Sequence, residues 1–314
     1  MGVRIGRLVL KNPVMTASGT FGFGVEYEGL MDVGALGAIV TKGISLEPRL
    51  GNPAPRIAET PAGLLNAVGL QNPGLEGFVE DKLPWLRRAG PAVVVNILGD
   101  RVEDYASLAR QLDALDGVDA LEVNISCPNV AAGGIAFGSD PSAAAEISAA
   151  VVENTTRPVL VKLSPNVTDL VAIAKAVAAQ RVDGLTLINT LRGMAIDPHT
   201  GEARLGNGIG GLSGPAIRPV AVRAIYEVHQ EVDLPIVGCG GLMTALDAVE
   251  FLRAGASAVQ VGSATFRRPD AASEVLSGLR AFCQEQQLDA CSLLTGAVSV
   301  RGVKGDPRKE AQDA

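Results

Sequence analysis

Residues 159–190 read VLVKLSPNVTDLVAIAKAVAAQRVDGLTLINT. Val159–Leu163 is apolar apart from Lys162, Thr168–Ala179 repeats with helical spacing, and Gly184–Ile188 is a second short apolar run. Continuous apolar runs, rather than alternating ones, suit parallel strands buried on both faces. Asp169 lies at the helix start, where a carboxylate meets unpaired N–H groups. The stretch is therefore one strand–helix–strand unit, and a crossover of that length sets its two strands parallel.

The same unit recurs in both directions. Strands are predicted at Val14–Ala17, Ala38–Thr41, Val93–Ile97, Leu121–Ile125, Pro235–Gly238 and Ala258–Val261, and helices at Val102–Leu115, Pro141–Glu153, Pro215–Glu231 and Met243–Ala254. Pro141 stands at a favoured first helical position. Eight strands alternating with helices predict an α/β fold, a closed (β/α)8 TIM barrel. An open doubly wound sheet competes, because periodicity does not decide closure. A chain of 314 residues suits one barrel with insertions. Segments 44–90 and 191–213 are too long for simple connections, and the first is rich in Gly, Pro and Asn; both read as insertions over the barrel mouth. No linker divides the chain, so 1–314 is taken as a single domain with a polar tail at 305–314.

Apolar residues make up 47% and aromatics 4%, so the core is expected to be built from Ala, Val, Leu and Ile. A net charge of −7 argues against a nucleic-acid surface, which needs a basic patch. Neither a cleavage-site pattern nor a long uninterrupted apolar run is present, so no signal peptide and no membrane span are expected. Cys127, Cys239, Cys283 and Cys291 are scattered, without a CxxC pair, and read as reduced thiols of a cytoplasmic protein.

The polar residues gather at strand ends. Lys42-Gly43 follows the second strand, Asn96 lies on the third, and the fourth runs into Asn124-Ile125-Ser126-Cys127-Pro128-Asn129. Lys162 lies on the fifth, Asn189-Thr190 follows the sixth, Gly240-Gly241 the seventh and Gly262-Ser263 the eighth. One polar residue at a strand end is usually capping. In a barrel, however, all these positions surround one pocket at the C-terminal face. The glycines after strands seven and eight stand where barrels often hold phosphate on backbone N–H groups, although glycines more often simply make tight turns.

Lysine is almost never buried alone. Lys162 is thus read as binding an anion, holding negative charge on a cofactor, or forming a Schiff base. The asparagines offer donors and acceptors to a flat heterocycle. Two histidines, His199 and His229, without metal-ligand spacing imply no metal site. Cys127 is a candidate general base, since a thiolate takes a proton where its pKa is lowered or water is excluded. The bland alternative is a buried structural cysteine, which is how Cys239, Cys283 and Cys291 are read. The Gly- and Ala-rich stretch 129–139 that follows has the composition of a lid. Gly206-x-Gly208-x-x-Gly211 matches the dinucleotide fingerprint by letter but follows a polar stretch rather than a strand. His229 reads as a helix-surface residue.

Taken in order, Thr16-Ala-Ser-Gly19, Lys42-Gly43, Asn66-Ala-Val-Gly-Leu-Gln-Asn-Pro-Gly74, Asn124-Ile-Ser-Cys-Pro-Asn129, Val161-Lys-Leu-Ser164, Asn189-Thr190 and Gly238-Cys-Gly-Gly241 resemble class 1 dihydroorotate dehydrogenases over nearly the whole chain. The resemblance implies a flavin barrel that oxidises dihydroorotate to orotate in pyrimidine (UMP) biosynthesis. It implies FMN, one per chain, held by Ser18, Lys42, Gly43, Asn96, Asn124, Lys162, Ile188, Gly214, Gly240, Gly241, Gly262 and Ser263. It implies substrate held by Lys42, Asn66, Ala67, Val68, Gly69, Leu70, Asn124, Asn189 and Thr190. Cys127 would remove the C5 proton while hydride passes from C6 to the flavin, and Lys162 would stabilise negative charge on the reduced ring.

The Gly-Leu-Gln-Asn-Pro-Gly run resembles the B type of class 1, which passes electrons to NAD through a second subunit bearing FAD and a 2Fe–2S cluster. A cysteine at 127, where the membrane-bound class has serine, agrees with class 1 and with the expected lack of an N-terminal anchor. The implied assembly is a heterotetramer around a homodimer of this chain. Three other readings stay open: a fumarate-reducing A-type homodimer, a dihydropyrimidine dehydrogenase-like flavoenzyme, and a Schiff-base barrel lyase using Lys162. A non-catalytic binder of a phosphate ligand is the reading outside enzymes.

Overall fold

The eight strands close into a parallel barrel. In the computed structural model they are β1 (Val14–Thr16), β2 (Ala38–Val40), β3 (Ala92–Ile97), β4 (Ala120–Asn124), β5 (Val159–Leu163), β6 (Gly184–Leu187), β7 (Ile236–Cys239) and β8 (Ala258–Val261). Each pairs with its sequence neighbours, and β8 returns to β1, which rules out the open sheet. The structure describes residues 1–126, 128–129 and 135–299. Cys127 and the polar tail from 305 lie outside them, as does part of the stretch 129–139.

The main flanking helices are α1 (Leu83–Ala89), α2 (Val102–Asp113), α3 (Pro141–Glu153), α4 (Leu170–Ala178), α5 (Arg218–Glu231), α6 (Ala245–Ala254) and α7 (Ala271–Glu285). Local chemistry sets their starts. Asp140 and Asp169 accept from the N–H groups of Ala143 and Ala172, each at 2.9 Å. Asp169 is thus the cap of α4, and the helix begins at Leu170 rather than at the predicted Thr168. The predicted helix from Pro215 begins with a separate 3-10 turn over Pro215–Ile217. Pro235 lacks the N–H that a ladder position needs, so β7 starts one residue later, while the Pro235 carbonyl accepts from Leu185 N–H at 3.0 Å.

Along the strands, side chains alternate between two apolar layers. Val93, Val95, Leu121, Val123, Val159, Val161, Leu185, Val259 and Val261 pack outward against the helices. Met15, Ala38, Val40, Val94, Ala120, Leu160, Val237 and Ala258 form a second cluster, inside the barrel. That inner cluster is closed by a two-stranded hairpin, Val3–Ile5 with Leu8–Leu10, whose Ile5, Leu8 and Leu10 are buried in it. Arg7 at the hairpin turn is latched to Asp183, which accepts from Arg7 N, Nε and Nη2 at 2.8–2.9 Å and from Val159 N at 2.8 Å. The floor of the barrel is therefore apolar and sealed.

The two long connections combine. Ile57–Thr60, Gly63–Asn66, Leu191–Met194 and Ile209–Ser213 form one antiparallel four-stranded sheet, with Gly63–Asn66 beside Ile209–Ser213. Both segments leave the C-terminal ends of their strands, β2 and β6. Ile57, Met194, Ile196 and Ile209 are exposed on or beside this sheet. No helix among the described residues is long and apolar enough to cross a membrane.

Candidate active site

Above the apolar floor, the inward-facing layer turns polar. Asn96 of β3, Glu122 of β4, Lys162 of β5, Thr186 of β6 and Gln260 of β8 are all buried. Glu122 Oε1 accepts from Asn96 Nδ2 at 2.8 Å and faces Lys162 Nζ at 3.9 Å. Its Oε2 accepts from Thr186 Oγ1 at 2.9 Å and Gln260 Nε2 at 2.6 Å. Lys162 Nζ donates to Ser18 Oγ at 3.2 Å and Gln260 Oε1 at 3.4 Å. Burial works against the Lys162 proton, while negative charge beside it works for it, and the balance holds its pKa above the usual lysine value. Burial also pushes the Cys239 thiol up, so that thiol stays uncharged at neutral pH and the carboxylate supplies the negative charge.

Lys162 links this layer to the rim. Its partner Ser18 follows β1, and Gly262, after β8, packs against Ala17: a Cβ on it would sit 3.3 Å from that of Ala17. On the other side, Asn96 lies against Gly43, where a Cβ would come within 2.9 Å of Asn96 Oδ1. Ile188 N donates to Cys239 O at 2.7 Å, and a Cβ on Gly240 would meet Ile188 Cγ1 at 3.3 Å. Gly241 lies close to Gly214 O. Gly214, Gly240 and Gly241 have φ of +94°, +125° and +83°, conformations that favour glycine. The backbone N–H groups of Gly240, Gly241, Gly262 and Ser263 make no hydrogen bond among the described residues. Unpaired N–H groups at two adjacent strand ends are donors of the kind that can take an anion.

The amides form a second group. Asn189 Nδ2 donates to Ser126 Oγ at 2.9 Å and to Asn124 Oδ1 at 3.5 Å, while Asn124 Oδ1 also accepts from Ser126 N. Thr190 N donates to Asn189 Oδ1 at 2.8 Å, and Thr190 packs against Gly211. Asn66 Nδ2 donates to Gly211 O at 3.2 Å, which ties the first mouth segment to the second. Ala67 N donates to Arg56 O, and the carbonyls of Ala67, Val68 and Leu70 accept from Asn52 and Asn72. Gly69 and Leu70 both have positive φ, +77° and +58°. For leucine that costs roughly 1–2 kcal/mol, strain of the kind that ligand clamps hold. Lys42 is half-buried; burial and the neighbouring Arg56 lower its pKa, while Glu26 opposes them.

One contiguous rim thus joins Ser18, Lys162, Asn96 and Gly43, a second contact set joins Ile188, Gly240, Gly241 and Gly214, and a third joins Asn66, Thr190, Asn189 and Asn124. Cys127 follows Ser126 in the chain and lies outside the described residues. Glu122, Gln260, Thr186 and Ser126 were not picked out from the sequence, although Glu122 and Gln260 interrupt apolar strands as Lys162 does. The Gly206–Gly211 pattern opens the strand Ile209–Ser213 rather than a helix, so it is no dinucleotide fingerprint. His229 is only partly buried on α5, against Gly255. A groove of about 630 Å³ lies outside the barrel between α5 and α6, lined by Val222, Tyr226, Leu246 and Val249, and includes none of these site residues.

A sequence model of the dihydroorotate dehydrogenase family matches residues 1–283. Three similar curated proteins all carry the name dihydroorotate dehydrogenase B (NAD(+)), catalytic subunit. The one from Citrifermentans bemidjiense is 51% identical over 96% of this chain and 98% of its own length. That from Desulforudis audaxviator is 55% identical with the same coverage. That from Desulforamulus reducens is 52% identical over 95% of this chain and 98% of its own.

Proposed function

The chain belongs to the dihydroorotate dehydrogenase family, and from that premise we propose that it oxidises dihydroorotate to orotate for pyrimidine biosynthesis, as an NAD-linked catalytic subunit. The observation that carries this reading is the meeting, at one barrel face, of an anion-accepting glycine cradle, a buried ammonium and a cluster of amides.

The residues present suit FMN. The free N–H groups of Gly240, Gly241, Gly262 and Ser263 fit its phosphate, with Gly214 and Ile188 beside them. Ser18, Lys42, Gly43, Asn96, Asn124 and Lys162 would line its ring. When bound, FMN supplies the acceptor for the hydride that leaves the substrate. Lys162 offers a fixed positive charge in a dry layer, where it needs no reorganisation during the reaction.

The substrate is a small carboxylate with a ring amide and imide. The Lys42 ammonium matches its negative charge, and Asn66, Asn124, Asn189 and Thr190 match its ring donors and acceptors. The segment Ala67-Val68-Gly69-Leu70, pinned by Asn52 and Asn72, closes one side. Cys127 takes the proton from C5 of the substrate as general base; its neighbour in sequence, Ser126, is anchored on Asn124 and Asn189.

Electrons leave through a separate subunit carrying FAD and a 2Fe–2S cluster, in a heterotetramer built on a homodimer of this chain. The name shared by the relatives supports the second subunit, and the exposed Ile57, Met194, Ile196 and Ile209 support a self-association surface. The cytoplasm, which keeps thiols such as Cys239 and Cys283 reduced, fits this role. Anaerobic mixing of the FMN-loaded chain with dihydroorotate tests the proposal. The visible flavin band should bleach, and a flavin-loaded sample that does not bleach overturns it.

A further inference from the structure

Beneath the proposed flavin site lies a carboxylate to which the reaction assigns no task. Glu122 is fully buried, at 0% exposure, in a strand whose residues before the rim Asn124 are otherwise apolar. A carboxylate in such a place persists only when paired. Its pairing spans the barrel: donors arrive from β3, β6 and β8, and the Lys162 ammonium from β5. Gln260 makes the polarity explicit. Its carbonyl accepts from Lys162 while its NH2 donates to Glu122, which suits an amide held between a cation and an anion.

We propose that Glu122 is the positioning residue that keeps Lys162 protonated beneath the flavin, and so keeps the flavin's reduction potential free of lysine titration. This rests on the FMN reading above. A lone desolvated ammonium sheds its proton, because a dry site disfavours the charged form. Among the described residues, the titratable groups close enough to supply a counter-charge to Lys162 are Cys239 on β7 and Glu122 on β4. Cys239 is held uncharged by burial, while Ser18 and Gln260, from the β1 end and β8, are neutral. The counter-charge is therefore the Glu122 carboxylate. Glu122 makes its contacts within this layer, while Lys162 also reaches Ser18 at the rim.

The test is the pH dependence of the flavin midpoint potential, measured by anaerobic spectroelectrochemistry on the FMN-loaded chain between roughly pH 6 and 9.5, below the ordinary lysine pKa. The wild-type chain should take up no proton at Lys162 on reduction. Glu122→Gln removes the charge at nearly constant shape. Its potential should fall about twice as steeply with pH over part of the window, because one further proton is taken up when reduction recharges the lysine. Glu122→Asp keeps the charge and should restore the wild-type slope. A Glu122→Gln chain that loads FMN and follows the wild-type slope overturns the inference and leaves the FMN reading intact. A wild-type chain that binds no FMN overturns the FMN reading instead. Should Glu122→Gln yield no flavin-loaded protein, urea unfolding of wild type, Glu122→Gln, Lys162→Met and the double variant decides. The inference requires the double variant to lose much less than the two single losses combined, and additive losses overturn it.

Discussion

Replacing Gly241 by alanine tests the phosphate cradle with a built-in control. Gly241 has φ of +83°, and a Cβ there would come within 2.6 Å of Gly214 O and 2.8 Å of Arg218 N. Both obstacles are backbone, so no side chain can rotate away. The positive φ by itself costs alanine roughly 1–2 kcal/mol. Reaching ordinary contact with the Gly214 carbonyl needs a further opening of about 0.8 Å, and displacements near 1 Å in a positioned site cost up to about 10²-fold. The expected result is a 10- to 100-fold weaker FMN Kd, about 1.4–2.8 kcal/mol, with a stability loss of about 2–4 kcal/mol. Gly201 supplies the control, because its φ is +75° but a Cβ there meets nothing within 4 Å. Gly201→Ala should carry only the conformational cost of about 1–2 kcal/mol and leave FMN affinity unchanged. Fluorescence quenching of FMN titrated with apo-protein reads the affinity, and urea unfolding reads the stability. If Gly241→Ala binds FMN as tightly as Gly201→Ala does, the phosphate does not sit at the β7 end.

Cys127→Ala should keep FMN bound but reduce it about 10²- to 10⁴-fold more slowly in anaerobic stopped flow; wild-type speed would remove Cys127 from the reaction. Because burial and Arg56 lower the Lys42 pKa, the free enzyme loses that ammonium below the ordinary value of 10.5. Orotate affinity should therefore weaken as pH rises from neutrality toward that value, and Lys42→Met should bind weakly with no such dependence; equal pH profiles for the two would exclude Lys42 as the carboxylate partner. Asp183→Ala leaves the N–H groups of Arg7 and Val159 unpaired at the barrel floor. Its half-exposed ion pair with Arg7 adds little, so the total loss should be about 2–4 kcal/mol by urea unfolding, with FMN affinity untouched. Against the upward push of burial, Arg7 and two backbone N–H groups hold the Asp183 pKa below the usual aspartate value of 3.8. Its contribution is therefore present above that value and lost as pH falls through the lowered folded pKa. The gap between wild type and variant should be constant near neutrality and close only in strong acid; a gap that closes near neutral pH would mean another group carries the latch.

Much of the barrel was legible because burial on both faces writes a parallel strand as an unbroken apolar run. Val159–Leu163 and Ala258–Val261 were located to the residue for this reason, and the other strands to within one. The errors have local causes: Pro235 cannot donate to a ladder, and Asp169 caps α4 rather than joining it. Short elements escaped. The hairpin Val3–Ile5 and Leu8–Leu10 has three-residue strands, too short for periodicity, and its role as a plug depends on Asp183, 176 residues away from Arg7. Lys42, Asn96, Asn124, Lys162, Asn189 and the Gly240 and Gly262 turns could be expected at one face because each stands at a strand end, and a barrel sends every strand end there. Asn66 to Leu70 came only with the family motif.

What the sequence determined by itself is the alternation of strands and helices, the polar character of the strand ends and the family. All three are local patterns or ordered motifs, carried by neighbours in the chain. What only the tertiary structure decided is closure and pairing. β8 meets β1 across the whole chain, and Glu122 meets Gln260 at a separation of 138 residues. A single glutamate in an apolar strand is an anomaly whose meaning depends on what faces it. That partner, Lys162, is the anomaly of the neighbouring strand: pairing of β4 with β5 sets the two side by side, and barrel closure brings Gln260 of β8 across to both. Burial and counter-charge are properties of the closed barrel, so the electrostatics of the flavin layer belong to the tertiary structure.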